Sequence, residues 1–161
     1  MTENEASVHP QAQDNCAYSE RQRHYWYYGV SANPPILVYT TSTEPFVPDA
    51  QPSRYPEPVY DHTIVKQWQK VVLEAEKLLD DQRLLWTSID LVRFHTRANK
   101  ESNHVDSVGP PTFWIGVLPG RVSGAAAAAA AVGIRRILVA HAVEGVDIEF
   151  REPKQTTPGV A

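Results

Sequence analysis

The turn at residues 119–124 has the residue types best suited to binding a small anion. Gly120, Arg121, Ser123 and Gly124 lie between an apolar run and seven consecutive alanines, so a strand should turn into a helix here. Backbone N–H groups at a helix N-terminus attract negative charge, and an arginine beside them adds to that attraction. A plain turn with Ser123 as the helix cap explains the same residues without a ligand, and we favour that interpretation.

The turn is also superficially similar to the Gly-Arg-Val loop of acylphosphatases. That similarity implies hydrolysis of acyl phosphates. The placement of the turn between a strand and a helix, taken alone, suggests Arg121 as the cation and His95 or His141 as the proton carrier. The turn follows the third predicted strand rather than the first, and alanines occupy the position of the family's catalytic arginine. No lysine of a phosphate-binding loop follows Gly124. Because of these differences, an anion-binding or acyl-phosphate-hydrolysing enzyme is only the alternative hypothesis.

The histidines and the single cysteine do not form a recognisable catalytic or metal-binding pattern. Side chains alternate along a strand, so His95 should point away from Ser88 and Asp90, and this geometry disfavours a triad of these three residues. No pair of histidines has metal-ligand spacing, and one cysteine, Cys16, cannot form a zinc site or an internal disulfide. We predict no catalytic residue, no metal and no cofactor.

Composition narrows the possible partners. The chain has 161 residues and a formal net charge of −4, all of which lies in residues 1–60. No basic surface is expected, so nucleic acid is not a predicted partner. The first residues lack a secretory signal, and the longest apolar run, 125–132, is too short to span a bilayer. We therefore expect an intracellular, cytoplasmic protein that does not bind membranes.

Hydrophobic periodicity predicts six elements in the order β-α-β-β-α-β. The predicted strands are 36–40, 86–95, 112–118 and 146–151, and the predicted helices are 61–81 and 123–143. Asp61 or Thr63 should cap the first helix, and Gly145 should end the second. This order predicts an α+β, ferredoxin-like split β-α-β-β-α-β sandwich, in which two helices cover one face of a four-stranded antiparallel sheet. The first and third strands should be central, and the fourth should lie at an edge.

The sequence also predicts where the domain begins and ends. Residues 1–23 are polar, and their apolar residues do not recur at helical or strand spacing, so they should form a disordered tail. Residues 24–153 should form a single domain, with residues 154–161 as a loose end. Five prolines within residues 41–60 forbid a helix and disfavour a paired strand, so they predict a long surface loop.

Four segments resemble a family of uncharacterised basidiomycete fungal proteins. They are Tyr-Tyr-Gly-Val-Ser at 27–31, Trp-Thr-Ser-Ile-Asp-Leu-Val-Arg at 86–93, Trp-Ile-Gly-Val-Leu-Pro-Gly at 114–120 followed by Ser123 and Gly124, and Val-Asp-Ile-Glu-Phe-Arg-Glu at 146–152. The resemblance covers residues 25–153 and matches only the N-terminal portion of those proteins. This chain differs from them in its alanine-rich second helix. The family has no known activity, so the resemblance implies relatives without a function.

An interaction surface is predicted on the sheet face that the helices leave open. Trp114 and Leu118 should stand on that face, since they alternate with inward-facing residues. An aromatic run precedes the first strand: Tyr25, Trp26, Tyr27 and Tyr28. At least two of its members should pack on the domain, either covering Trp114 or leaving it to a protein partner. That partner would be a second copy or a following domain, so we predict a non-catalytic interaction or docking domain.

Overall fold

The computed structural model describes residues 18–47, 51–98 and 105–154. In chain order, its elements are α1 (Glu20–Tyr25), β1 (Ile36–Thr40), β2 (Arg54–Glu57), α2 (Thr63–Asp81), β3 (Trp86–Thr96), β4 (Ser107–Val117), α3 (Gly124–Ala140) and β5 (Asp147–Glu152). The predicted α+β class is confirmed. Both long helices, α2 and α3, contribute to the same hydrophobic core on one face of the sheet, which we call the helix face.

The sheet differs from the predicted four-stranded antiparallel arrangement. It has five strands in the order β1-β5-β4-β3-β2, and β4 and β5 are parallel while the other neighbours are antiparallel. The detailed ferredoxin-like prediction is therefore wrong. β1, expected in the centre, lies at an edge, and β5, expected at an edge, lies between β1 and β4. The polar residues of β5 suggested an exposed strand, but they have partners on the sheet face opposite the helices.

The proline-rich segment also contains an unpredicted strand. β2 pairs antiparallel with β3, and Pro56 stands opposite Phe94 in that pairing. Proline lacks a backbone N–H group and is tolerated in an edge strand, where one side has no partner strand. The expectation of no paired strand within residues 41–60 is therefore wrong, because β2 forms the outer edge of the sheet. Residues 48–50 of this segment lie outside the described residues.

The helix α2 follows the predicted apolar period. Its buried residues are Ile64, Val71, Ala75 and Leu79. The N-cap is His62, whose Nδ1 accepts a hydrogen bond from the Ile64 amide at 3.1 Å, rather than Asp61 or Thr63. A histidine ring nitrogen supplies the same acceptor as a hydroxyl or carboxylate oxygen, which residue preferences alone do not anticipate.

The helix α3 begins as predicted and ends earlier than predicted. Ser123 Oγ accepts a hydrogen bond from the Ala126 amide at 3.0 Å. The helix stops at Ala140, because Ala142 turns left-handed with φ 57° and the Val143 amide bonds back to the Leu138 carbonyl at 2.8 Å. This is the hydrogen-bond pattern of a helix C-cap that usually contains glycine. Gly145 is therefore not the residue that ends the helix.

The sheet face opposite the helices is covered by residues 18–30, which we call the N-terminal segment. A second hydrophobic cluster forms there from Trp26, Tyr27, Leu37, Phe94 and Trp114. Residues 18–23 were expected to belong to a disordered tail, but Ser19 caps α1 and the Arg23 side chain donates to the Leu37 carbonyl. The domain thus begins before residue 24. Residues 1–17 of the predicted tail and residues 155–161 of the predicted loose end lie outside the described residues.

Candidate functional site

Trp114, the centre of the predicted interaction surface, is buried inside the chain. Only 7% of it is exposed, since the rings of Tyr27 and Phe94 lie 5.5 and 5.1 Å from its own ring. Its Nε1–H donates a hydrogen bond to the Tyr27 hydroxyl at 3.1 Å. Trp114 is therefore unavailable to a partner, and of the two alternatives the structure has the intramolecular one, in which the aromatic run covers Trp114. Leu118, expected on the same surface, is partly exposed at 39%.

The four N-terminal aromatic residues divide into a buried pair and an exposed pair. Trp26 and Tyr27 are buried, whereas Tyr25 and Tyr28 are about half exposed. The prediction that at least two of them pack on the domain is confirmed. The buried pair cannot contact a partner, so the predicted aromatic interaction surface is reduced to Tyr25 and Tyr28. These two border an open depression together with Pro34.

A buried carboxylate joins the N-terminal segment to the sheet. Glu149 accepts a hydrogen bond from the Tyr27 hydroxyl at 2.6 Å and another from the Thr40 hydroxyl at 2.8 Å. Burial raises the pKa of Glu149 above its ordinary value, although these hydrogen bonds and the charge of Arg54 act in the opposite direction. Burial also holds the pKa of Tyr27 well above its ordinary value, so its phenol stays protonated and is the donor. The arrangement is a closed structural network with no access for a substrate.

Two arginines complete this face by stacking on tryptophans. The Arg151 guanidinium lies 3.6 Å from the centre of the Trp114 ring and donates to Asp90 and Ser88. Arg54 is buried and lies 4.5 Å from the centre of the Trp26 ring. Glu149 and Arg151, polar residues of the strand that was expected at an edge of the sheet, are thus paired within this layer.

The predicted anion-binding turn is already in contact with a carboxylate of the chain itself. The Gly120 amide donates to Glu152 Oε2 at 3.0 Å, and the other oxygen of Glu152 lies 3.5 Å from the Arg23 guanidinium. Ser123 acts as the helix cap, and Arg121 is exposed. Gly124 borders a small cavity of about 200 Å³ beside the turn. The Glu152 carboxylate therefore already accepts the hydrogen bond from the Gly120 amide that an external anion would need.

His95 lies on the sheet face that strand alternation predicted. His95 contacts Tyr55 and Glu57 on the helix face, whereas Ser88 and Asp90 contact Arg151 on the opposite face. A Ser88–His95–Asp90 triad is therefore absent. Within residues 18–47, 51–98 and 105–154, no three His, Cys, Asp or Glu side chains lie close enough to hold a metal ion. In the same ranges, no helix is long and apolar enough to cross a membrane.

The outer surface of α3 is a feature that the sequence interpretation missed. Its exposed residues recur at helical spacing on the side away from the sheet: Ala125, Ala129, Val132, Arg136 and Val139. Val132 is 53% exposed and Val139 is 63% exposed. A helix that covers a sheet normally has a polar outer side, and this one has a single charge there. The sequence does contain a signal, because apolar residues recur on both sides of this helix. The alanine run was interpreted only as high helix propensity, so the second apolar side was overlooked.

No protein-family model, no curated protein and no solved structure matches this chain. The resemblance to basidiomycete fungal proteins therefore stays a prediction. Any functional hypothesis rests on the surfaces and side-chain clusters described above.

Proposed function

We propose that this chain is a non-catalytic interaction domain that binds a protein partner through the outer surface of α3. The partner that this surface fits most simply is a second copy of the chain. The supporting observation is the set of exposed apolar residues on α3, with Val132 near its middle and Arg136 as its one charge. Burial of this uncovered apolar surface against a partner stabilises the complex, because removing apolar surface from water lowers the free energy.

The other helix on the same sheet face provides the contrast that supports this proposal. The outer side of α2 is mainly polar, with Lys66, Lys70 and Lys77 among its exposed residues. Its two exposed large apolar residues, Val65 and Leu73, are eight positions apart in the sequence. Both helices meet the same need to cover the sheet, so an apolar outer side is not required by the fold. The difference between the two outer surfaces therefore favours a binding role for α3.

The geometry of α3 suits a symmetric antiparallel pair. Its 17 residues span about 25 Å, and alanine side chains permit close approach of a second helix. A two-fold axis at Val132 would place Arg136 opposite Ala128 of the partner, which avoids contact between the two arginines. One helix pair buries less area than a standard interface of about 1,600 Å², so we expect weak and reversible association.

The alternative, an acyl-phosphate-hydrolysing or anion-binding enzyme, has less support. It requires the Gly120 amide and Arg121 to meet an external anion, and the Gly120 amide donates to Glu152 instead. His95 lies on the helix face in contact with Tyr55 and Glu57, with no contact to the turn. No observation in the described residues favours this reaction over self-association.

Sedimentation velocity across a range of concentrations tests the proposal. We expect the full chain to show concentration-dependent dimerisation, and Val132→Lys to abolish it without loss of folding. Leu73→Lys is a matched control, because Leu73 is similarly exposed, at 61%, but lies on α2. A chain that remains monomeric at several hundred micromolar would rule out the second copy as the partner. Dimerisation unaffected by Val132→Lys would show that α3 is not the contact surface.

A further inference from the structure

Three side chains with metal-binding chemistry meet where β2 pairs with β3 at the edge of the sheet. Tyr55 stands directly opposite His95, and Glu57 lies two residues further along the same edge strand. Tyr55 Oη lies 2.8 Å from His95 Nδ1, and Glu57 Oε1 lies 3.2 Å from the same nitrogen. One nitrogen and two oxygen atoms therefore converge on the helix face.

These separations match those between neighbouring ligands of one metal ion. Imidazole and carboxylate ligands bind at about 2.0–2.2 Å, so adjacent ligand atoms around one ion lie roughly 3 Å apart. We propose that Tyr55, Glu57 and His95 form a three-ligand site for a first-row transition-metal ion. The ion would bind between the three side chains, and the Tyr55 phenol would lose its proton to the buffer when it becomes a ligand. The site is independent of the proposed α3 interaction surface.

The strand pairing holds the three side chains in place before any ion binds. The rings of Tyr55 and His95 stack with centres 4.9 Å apart, which restricts rotation of both. The Arg97 guanidinium lies 4.9 Å from the centre of the Tyr55 ring, where its positive charge offsets the negative charge of a bound phenolate. A prearranged ligand set loses little conformational freedom on binding.

The site is open to solvent on one side. The His95 and Glu57 side chains are 25% and 39% exposed. Glu57 also borders an open depression of about 480 Å³, together with Tyr60, Asp61 and Arg93. Three protein ligands beside open space leave coordination positions for water or a small ligand, as in catalytic rather than structural metal sites.

Another histidine–carboxylate pair in the chain provides a matched comparison. His141 Nε2 contacts Glu74 Oε2 between α3 and α2, but no tyrosine oxygen joins that pair. The phenol of Tyr55 is therefore the feature that distinguishes the β2–β3 cluster. Imidazole with carboxylate and phenolate oxygens suits ions of intermediate hardness, and Cu²⁺ binds such sites most tightly among the divalent first-row ions.

Titration of the chelator-treated full chain with Cu²⁺, followed by visible absorption and calorimetry, tests the proposal. We expect a phenolate-to-copper charge-transfer band that grows to one equivalent. Tyr55→Phe should abolish the band while keeping the ring stacking, and His95→Ala and Glu57→Gln should each weaken binding at least tenfold. His141→Ala should leave both the band and the affinity unchanged. The phenol proton passes to the buffer as the oxygen–copper bond forms.

Two results would overturn the proposal. The first is the absence of the band in the wild-type chain. The second is a band and an affinity that Tyr55→Phe leaves unchanged, since copper would then be bound elsewhere. In the first case, a Tyr55→Phe variant that is less stable than the wild type without copper would show that the cluster only joins β2 to β3. Neither result would bear on self-association through α3, which sedimentation measures separately.

Discussion

The two faces of the sheet are stabilised in different ways. On the helix face, α2 and α3 meet the sheet through aliphatic and aromatic side chains such as Leu79, Leu138 and Ile148. On the opposite face, the N-terminal segment meets it through aromatic rings that are linked to a buried carboxylate, Glu149, and to stacked arginines. One layer depends mainly on packing, and the other depends on packing and on paired polar groups together.

This difference predicts different responses to mutation. Apolar packing tolerates a substitution of similar volume, because dispersion contacts are not directional. A buried hydrogen-bond network does not, since removal of one member leaves the others without a partner in a medium of low polarity. The N-terminal face should therefore be the more sensitive one to small chemical changes.

The largest effect is expected for Tyr27→Ala. This substitution removes a fully buried ring and also takes a hydrogen-bond partner from Glu149 and from Trp114. Loss of a buried aromatic side chain costs about 3–5 kcal/mol, a large part of the stability of such a domain. Urea unfolding measures the change, and Tyr28→Ala serves as the control because Tyr28 is half exposed. Equal effects of the two substitutions would show that the N-terminal segment is not part of the folded core.

A pair of conservative substitutions compares the two faces directly. Tyr27→Phe keeps the ring and removes only the hydroxyl, which should cost about 1–3 kcal/mol because Glu149 loses a partner. Leu138→Met on the helix face keeps the volume of a fully buried side chain and should cost less than about 1.5 kcal/mol. Urea unfolding of both variants gives the comparison. A larger loss for Leu138→Met would contradict the assignment of polar sensitivity to the N-terminal face.

The same contrast explains how far the sequence predicts the fold. The helix face was predictable, because the apolar period of α2 and the runs in β1 and β4 each identify a buried side. Asp147, Glu149 and Arg151 suggested an exposed edge, because polar residues alternating with apolar ones are normally in water. Their partners, including Tyr27 and Asp90, are far away in the sequence. Periodicity describes each segment alone and carries no information about such distant pairing.

The candidate sites were less predictable than the fold. The side chain of Glu152 contacts the turn near Gly120, although 32 residues separate them. The cluster around His95 requires β2, and Pro56 argued against a paired strand there. Strand alternation placed Trp114 on the sheet face opposite the helices, but it could not decide whether the aromatic run or a partner covers it. In each case the missing information was a tertiary contact rather than a residue preference.

The pH dependence of stability should distinguish the two faces through Glu149. Its pKa in the folded chain is raised above the ordinary value of 4.5 by burial, so the folded state holds this proton more tightly than the unfolded state. The resulting stability is present below pH 4.5 and is lost as the pH rises through the folded pKa. Glu149→Gln removes this titration, so it should gain stability relative to the wild type as the pH rises from 4 to 7.

Urea unfolding of both proteins across that range isolates the contribution of Glu149, since the remaining groups are common to both. Leu138→Met serves as the control, and its difference from the wild type should stay constant with pH. A constant difference for Glu149→Gln, or a change of opposite sign, would show that the carboxylate is not held in a raised-pKa state.

The smallest effect on stability is expected at the end of α3, where a strained backbone conformation lowers the stability of the helix face. Ala142 is left-handed, with φ 57°, a conformation that costs an L-residue about 1–2 kcal/mol and costs glycine little. Glycine also makes the unfolded chain more flexible, at a cost of about 0.4–1 kcal/mol. Ala142→Gly should therefore stabilise the chain by about 0.5–1 kcal/mol, which thermal unfolding detects as a rise of roughly 1–4 °C. Ala129→Gly, in the exposed middle of α3, should instead destabilise by about 1 kcal/mol. If Ala142→Gly and Ala129→Gly destabilise the chain equally, the backbone at the end of α3 is not strained. Packing alone would then limit the stability of the helix face.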